Sequence, residues 1–161
     1  MHESLRIEPA TMDDLPVLAD LLHDLFTLES DFVPDRERQV RGVKLILEDP
    51  SRGRIFVLRN DHKIVGMINL LITISTAEGG FVMLLEDLVI HADHRGHGLG
   101  SRLLAHAIDF ARERNFLRIT LLTDRADQGP IDFYCHRGFK VSEMQPLRMI
   151  FRENVESHTR T

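Results

Sequence analysis

The sequence predicts a mixed α/β fold in which a mainly antiparallel sheet is flanked by helices. Three observations carry that expectation. Two helix-period segments open the chain, and three β-rich runs separated by tight turn signals follow. A strand, a glycine-rich loop, an amphipathic helix and a further strand then succeed one another. The meander makes the sheet antiparallel, whereas a strand that returns through a helix lies parallel to its predecessor. The order is that of an α+β protein with one β-loop-α-β unit embedded in it.

Leu5-Arg6-Ile7-Glu8 reads as a short strand closed by Pro9. Thr11 is the expected N-cap of the first helix, with Asp13 and Asp14 in its first turn, where the helix dipole favours acids. Leu15, Leu18, Leu22, Leu25 and Phe26 continue that helix to about Glu29, and Asp35 to Glu48 gives a second one bearing Val40, Val43 and Leu47. Ile55 to Leu58, Lys63 to Thr76 and Phe81 to Ile90 are the meander strands, turned at Asn60-Asp61 and at Ala77-Glu78-Gly79-Gly80. A helix from about Leu99 to Asn115 shows Leu99, Leu103, Ala107 and Phe110 on one face. Arg118 to Asp124 is a strand, and Pro130 to Arg137 a short helix ended by Gly138 as a left-handed cap. Phe139 to Phe151 predicts one or two final strands, and residues 152–161 a polar tail.

With 161 residues and 18.5 kDa, residues 1–151 are expected to form a single domain. A domain of this length buries roughly 70% of its unfolded surface, and 43% hydrophobic residues supply a core without staples. The formal net charge of −5 lacks the basic footprint of a general nucleic-acid binder. One cysteine excludes an intrachain disulfide and a cysteine-rich zinc site. No apolar run approaches the roughly 20 residues of a membrane span, and the first residues do not read as a secretory signal. The expectation is a cytoplasmic protein.

The most informative stretch is the loop after Ile90, His91-Ala92-Asp93-His94-Arg95-Gly96-His97-Gly98-Leu99-Gly100-Ser101. Glycines at 96, 98 and 100 allow a tight turn that presents successive N–H groups outward. Those amides and the positive end of the following helix make an anion cradle, with Arg95 adding a fixed charge at its rim. The plain alternative is a strand-to-helix turn that happens to be glycine-rich. A Walker A loop is excluded because Ser101-Arg102, not Lys-Ser/Thr, follows Gly100. A dinucleotide fingerprint is nearly matched by Gly96-x-Gly98-x-x-Ser101 with Asp124 downstream, but its third position is Ser and the loop starts too far from the strand.

Arg95-x-x-Gly98-x-Gly100 after a strand and before an amphipathic helix resembles the acetyl-CoA pyrophosphate loop of the GNAT superfamily of N-acetyltransferases. Phe133-Tyr134-x-x-x-Gly138-Phe139 is similar to the second signature of that family, and the element order from Leu5 to Phe151 fits its fold. The resemblance implies a parallel pair, Phe81–Ile90 with Arg118–Asp124, that splays to open a cofactor cleft. It implies acetyl-CoA as cofactor, held by Arg95, Gly96, His97, Gly98, Leu99, Gly100 and Ser101. Leu88, Val89 and Ile90 would pair with the pantetheine arm as a strand would. Many members carry Asn at the position of Asp127, where a hydrogen bond to pantetheine is expected.

Acetyl transfer to an amine needs a proton acceptor, because a lysine-like ammonium has a pKa of about 10.4, and the departing thiolate benefits from a proton. Glu86 is a carboxylate in an otherwise apolar strand, where burial is costly without a task. The resemblance places an acid at this strand position as general base; the alternative is an exposed residue on a half-solvated strand. Strict alternation would put Asp87 on the opposite face. Tyr134, the only tyrosine, sits where similar proteins have their general acid, against the alternative of a core aromatic. His91, His94 and His97 lack a neighbouring Asp/Glu/Cys pattern, so no metal is expected. Cys135 and His136 are helix neighbours that point apart, and Cys135 is expected to pack beside its helix.

Residues 1–50 hold twelve acidic against five basic side chains, a local charge of −7. In similar proteins the first two helices help wall the acceptor site, and a negative wall would attract a cationic amine. Leu85-Glu86-Asp87 with Phe133-Tyr134 is also similar to polyamine acetyltransferases. The expected function is N-acetylation of a small cationic primary amine by direct attack on the thioester. A protein lysine or N-terminal acceptor, a non-catalytic acyl-CoA sensor and a dinucleotide-binding protein are the alternatives. No nucleic-acid or membrane partner is expected, and homodimers are frequent in similar proteins.

Overall fold

The computed structural model describes residues 4–28 and 33–151. Their Cα positions group into two compact units, Met1–Leu122 and Thr123–Thr161. The expected tail at 152–161 and the end of the first helix at Glu29 lie outside the described residues.

The first unit is built on a five-stranded sheet in sequential order, β1 (Leu5–Pro9), β2 (Gly53–Asn60), β3 (Lys63–Ser75), β4 (Gly80–Ile90) and β5 (Ile119–Leu121). The pairs β1–β2, β2–β3 and β3–β4 are antiparallel, and β4–β5 is parallel. Helices α1 (Leu15–Leu28) and α2 (Arg36–Glu48) precede β2, and α3 (Leu99–Glu113) crosses from β4 to β5. Leu18, Leu21 and Leu22 of α1 and Val43 of α2 pack with Ile55, Val57, Met67 and Val89 of the sheet. Phe56, between Ile55 and Val57, meets His106 and Phe110 of α3 edge-on at 4.7 and 5.1 Å. Alternation along β2 therefore puts α1 and α2 on one face and α3 on the other.

Thr11 is the N-cap, as expected, with Asp13 and Asp14 in the turn that follows. A single 3-10 turn, Met12–Asp14, follows Thr11, and Asp14 is buried. Its carboxylate accepts the Thr11 N–H at 2.9 Å and both the 2.8 and 2.9 Å bonds of Arg59 Nη2, while Arg59 Nε bonds Glu8. Asp14 thus joins the helix entrance to β2 rather than serving the helix dipole. Burial alone would lower the Arg59 pKa, but the Asp14 and Glu8 carboxylates carry it above the ordinary guanidinium value. Asp35 is the N-cap of α2, accepting from the Arg38 N–H at 3.3 Å.

Two strand expectations are corrected. Strand β5 covers only Ile119–Leu121 instead of Arg118–Asp124, and Leu122 is exposed. No strand occurs among the described residues after Leu121. From Val141 to Phe151 every described side chain is exposed, and Pro146 offers no N–H for a ladder. Apolar spacing at Leu147, Met149 and Phe151 does not by itself make a strand.

The second unit contains α4 (Gln128–Cys135), two residues earlier than expected because Asp127 caps it, accepting from the Gly129 N–H at 3.1 Å. Gly138, at φ 98°, is the left-handed cap, and it returns the chain so that the Phe139 N–H reaches the Tyr134 carbonyl at 3.2 Å.

Candidate active site

The candidate site begins where the sheet becomes irregular. Met83, Leu84 and Leu85 of β4 pair with Ile119, Thr120 and Leu121, and the parallel ladder stops there while β4 runs on to Ile90. The parallel pairing expected of β4 and β5 is therefore present, and it ends immediately after Leu85, where β5 itself ends. At the same point the β3–β4 register slips: Leu70 faces Leu85, Asn69 faces Asp87, and Glu86 is the extra residue of a bulge.

This bulge corrects the reading that alternation separates Glu86 from Asp87. In a bulge two residues oppose one, so both stand opposite Asn69. Their environments differ nonetheless. Glu86 is exposed, whereas Asp87 is 9% exposed and its Oδ2 accepts the Asn69 Nδ2–H at 2.8 Å. Asn69 is itself buried, and its Oδ1 has no hydrogen-bond partner among the described residues. This pair escaped the sequence reading. Its signal was Asn69 as the one polar side chain between Ile64 and Ile72.

Beyond Ile90 the chain makes a 3-10 turn, Ala92–His94, capped by His91, whose Nδ1 accepts the Asp93 N–H at 3.2 Å. The Arg95 Nε–H is held by the Ile90 carbonyl at 3.0 Å, which ties the exposed guanidinium to the end of β4. Gly96 and Gly98 adopt φ of 82° and 73°. A Cβ on either would meet nothing within 4 Å, so glycine is required by the backbone and not by packing. Gly100 differs from the expectation: it lies inside the first turn of α3. The first bond of α3 runs from the Arg102 N–H to the Gly98 carbonyl at 3.2 Å. The amides of Leu99, Gly100 and Ser101 precede that bond, so α3 does not consume them. They form an open donor set at a positive helix end, and Arg95 supplies a fixed charge in the same loop. This chemistry fits a diphosphate.

Tyr134 is half-buried in the second unit, edge-on to Phe133 at 5.0 Å and to Phe139 at 5.6 Å. Cys135 is exposed, which corrects the expectation that it packs beside its helix: as the last residue of α4 it has no further turn to cover it. Asp127, expected near pantetheine, uses its Oδ1 as the α4 cap. Among the described residues no cluster of three His, Cys, Asp or Glu side chains could hold a metal. No described helix is long and apolar enough to cross a membrane.

One family model, described as the Acetyltransferase (GNAT) family, matches residues 17–139, a span that includes β4, the left-handed glycine turn and α3. The chain belongs to the GNAT acetyltransferase family. It is 29% identical over 136 residues to the aminoalkylphosphonate N-acetyltransferase of Salmonella typhimurium LT2, covering 84% of this chain and 85% of that protein. It is 32% identical over 120 residues to the uncharacterized N-acetyltransferase ycf52 of Gracilaria tenuistipitata var. liui, covering 73% and 61%. The crystal structure of a transcriptional regulator from Bacillus halodurans C-125 superposes with a TM-score of 0.78 at 30% identity, covering 92% of this chain and all of that one. The chain spans about half to two thirds of the length of the curated relatives it matches first. GNAT enzymes draw their acetyl group from acetyl-CoA, a diphosphate-bearing donor.

Proposed function

We propose that this protein is an acetyl-CoA-dependent N-acetyltransferase acting on a small cationic primary amine by direct attack on the thioester. The observation that carries the reading is the Arg95–Ser101 loop, whose two left-handed glycines lead into unconsumed helix amides after a stretch of β4 that β5 does not pair. Acetyl-CoA, when bound, supplies an activated acyl group on a thiolate leaving group. Arg95 and the amides from Gly96 to Ser101 hold its diphosphate, and Leu88, Val89 and Ile90, which β5 does not pair, bond its amide arm. By the family resemblance Asp127 would accept a pantetheine N–H through the carboxylate oxygen that its α4 cap leaves over.

The amine must arrive without its proton. Glu86, exposed on the bulge, takes that proton directly or through water, the neutral nitrogen forms the new C–N bond as the C–S bond breaks, and the second proton that the nitrogen then sheds offsets the one given to the sulfur. The Tyr134 phenol gives its proton to the departing sulfur, a role that rests on the family signature around it. No acyl-enzyme is required: Cys135 is exposed at a helix end, and its neighbour His136 points elsewhere. The −7 charge of residues 1–50 favours a cationic acceptor. An aminoalkylphosphonate, the substrate class in the Salmonella relative's name, also offers a primary amine but adds an anionic group.

The test is thiol release from acetyl-CoA across an amine panel at low and high salt. Polyamines and other cationic amines should lead at low salt and lose their advantage as salt screens the wall. Turnover with anionic amines alone would refute the charge argument. Tight acetyl-CoA binding without turnover on any amine, peptide amines included, would make the protein a sensor, and binding of NAD or ATP in preference to acetyl-CoA would make it a nucleotide binder.

A further inference from the structure

We infer that Asn69 is a positioning residue for acetyl transfer: its hydrogen bond to Asp87 locks the β4 bulge in the one register that turns Glu86 outward. The inference rests on the reading of Glu86 as the carboxylate that meets the amine.

The argument starts from a degeneracy in the ladder. On one side of the bulge Leu70 faces Leu85, and on the other Ile68 faces Leu88. Both apolar pairs would survive if the extra residue were Asp87 and Asn69 faced Glu86. That neighbouring register exchanges the two carboxylates, burying Glu86 and exposing Asp87. Apolar packing does not choose between the registers, so a polar interaction has to. The Asn69 Nδ2–H to Asp87 Oδ2 bond of 2.8 Å, between side chains that are 5% and 9% exposed, is that interaction.

The bond is a poor device for stability, which argues that geometry is its purpose. Asn69 must aim its NH2 group at the carboxylate, since the flipped amide would set oxygen against oxygen. That orientation leaves the buried Oδ1 without a partner among the described residues. A matched apolar pair would fill the same space with no orphaned acceptor. Its position completes the case. The locked residue follows Glu86 directly, and Glu86 is the first β4 residue past the end of the β5 ladder. A slip here would move both the proposed base and the amides of Leu88 to Ile90.

The test is a charge-swap series on the full chain: Asn69→Asp, Asp87→Asn and the double variant, followed by steady-state kinetics and by amide hydrogen exchange of the β4 peptide. Asn69→Asp sets two carboxylates together, so kcat should fall about tenfold or more while KM for acetyl-CoA holds within about threefold. Asp87→Asn keeps an acceptor for Asn69 and should stay within about threefold of the parent. The double variant rebuilds the bond with donor and acceptor exchanged, and should recover kcat and exchange protection together. If Asn69→Asp does not fold, Asn69→Leu replaces it, with the same fall in kcat and no rescue by Asp87→Asn. The lock is wrong if the double variant is no better than Asn69→Asp, if Asp87→Asn is as damaging as Asn69→Asp, or if all variants match the parent. Exchange needs no turnover, so a parent that acetylates no amine sinks the functional reading while rescued protection in the double variant still upholds the lock.

Discussion

Gly98 offers the sharpest test of how the loop is made. Its φ is 73°, and a Cβ built on it would find nothing within 4 Å. Substitution by Ala therefore meets no steric neighbour, and the whole penalty is that of an L-residue in the left-handed region, about 1–2 kcal/mol. For a domain of this size each kcal/mol lowers Tm by about 2–4 °C, so Gly98→Ala should cost about 2–8 °C. Asn tolerates the same region through local hydrogen bonding, so Gly98→Asn should recover most of that loss despite its larger side chain. Binding should follow the same order. Gly98 caps α3, and an Ala that relaxes toward negative φ would turn the Leu99 to Ser101 amides away from a diphosphate. Differential scanning calorimetry and acetyl-CoA titration on the parent, Gly98→Ala and Gly98→Asn read both quantities. Space, not backbone conformation, governs the position if Asn proves more damaging than Ala in Tm. Equal acetyl-CoA affinity in all three proteins would remove this turn from the diphosphate site.

Three further outcomes are expected. Arg59→Met strands the buried Asp14 carboxylate and should cost about 3 kcal/mol in urea unfolding, at the lower end for a broken buried pair because Glu8 is partly solvated. Since the Arg59 pKa is raised, its contribution is complete below the ordinary guanidinium value and fades only above it, so this loss should be flat from about pH 6 to 9. Tyr134→Phe keeps both ring contacts, and kcat should fall about 10²-fold while acetyl-CoA affinity holds; unchanged kcat would remove the phenol from the reaction. The Asp49 carboxylate is held below its ordinary pKa by the Ser51 hydroxyl and N–H, at 2.7 and 3.0 Å. A depressed pKa stabilises above the unfolded value and loses that contribution as pH falls through the folded one. Ser51→Ala should therefore trail the parent at neutral pH, with the gap in urea midpoint closing below about pH 4.

The fold was legible wherever one face of an element is buried. Helix periods in α1 and α3 and the turn signals at Asp61 and Gly79, both at positive φ, placed the meander and the crossover. The glycine loop was legible too, because left-handed backbone leaves a mark in residue type. The bulge left none. Leu84-Leu85 before it and Leu88-Val89 after it are equally apolar, so a one-residue slip does not disturb the texture that periodicity reads. The last strands failed for a related reason. Leu147, Met149 and Phe151 alternate as a strand would, yet they are 91%, 78% and 87% exposed, because alternation encodes a face and not the partner that covers it.

The bulge was missed for a physical reason. A regular helix or sheet consumes its own N–H groups, so it has none to offer a ligand. A site that must grip a diphosphate and an amide arm needs donors left over, and they arise only where a ladder stops or a helix begins. In this chain those places follow one another within sixteen residues: the bulge at Glu86, the β4 edge to Ile90 that β5 abandons, the turns at Gly96 and Gly98, and the first amides of α3. Regular elements are what sequence periodicity reports, and the site is assembled from their interruptions. The loop was found because its interruption needs glycine, whereas the bulge, where Asn69 donates to Asp87, shows itself only in the register.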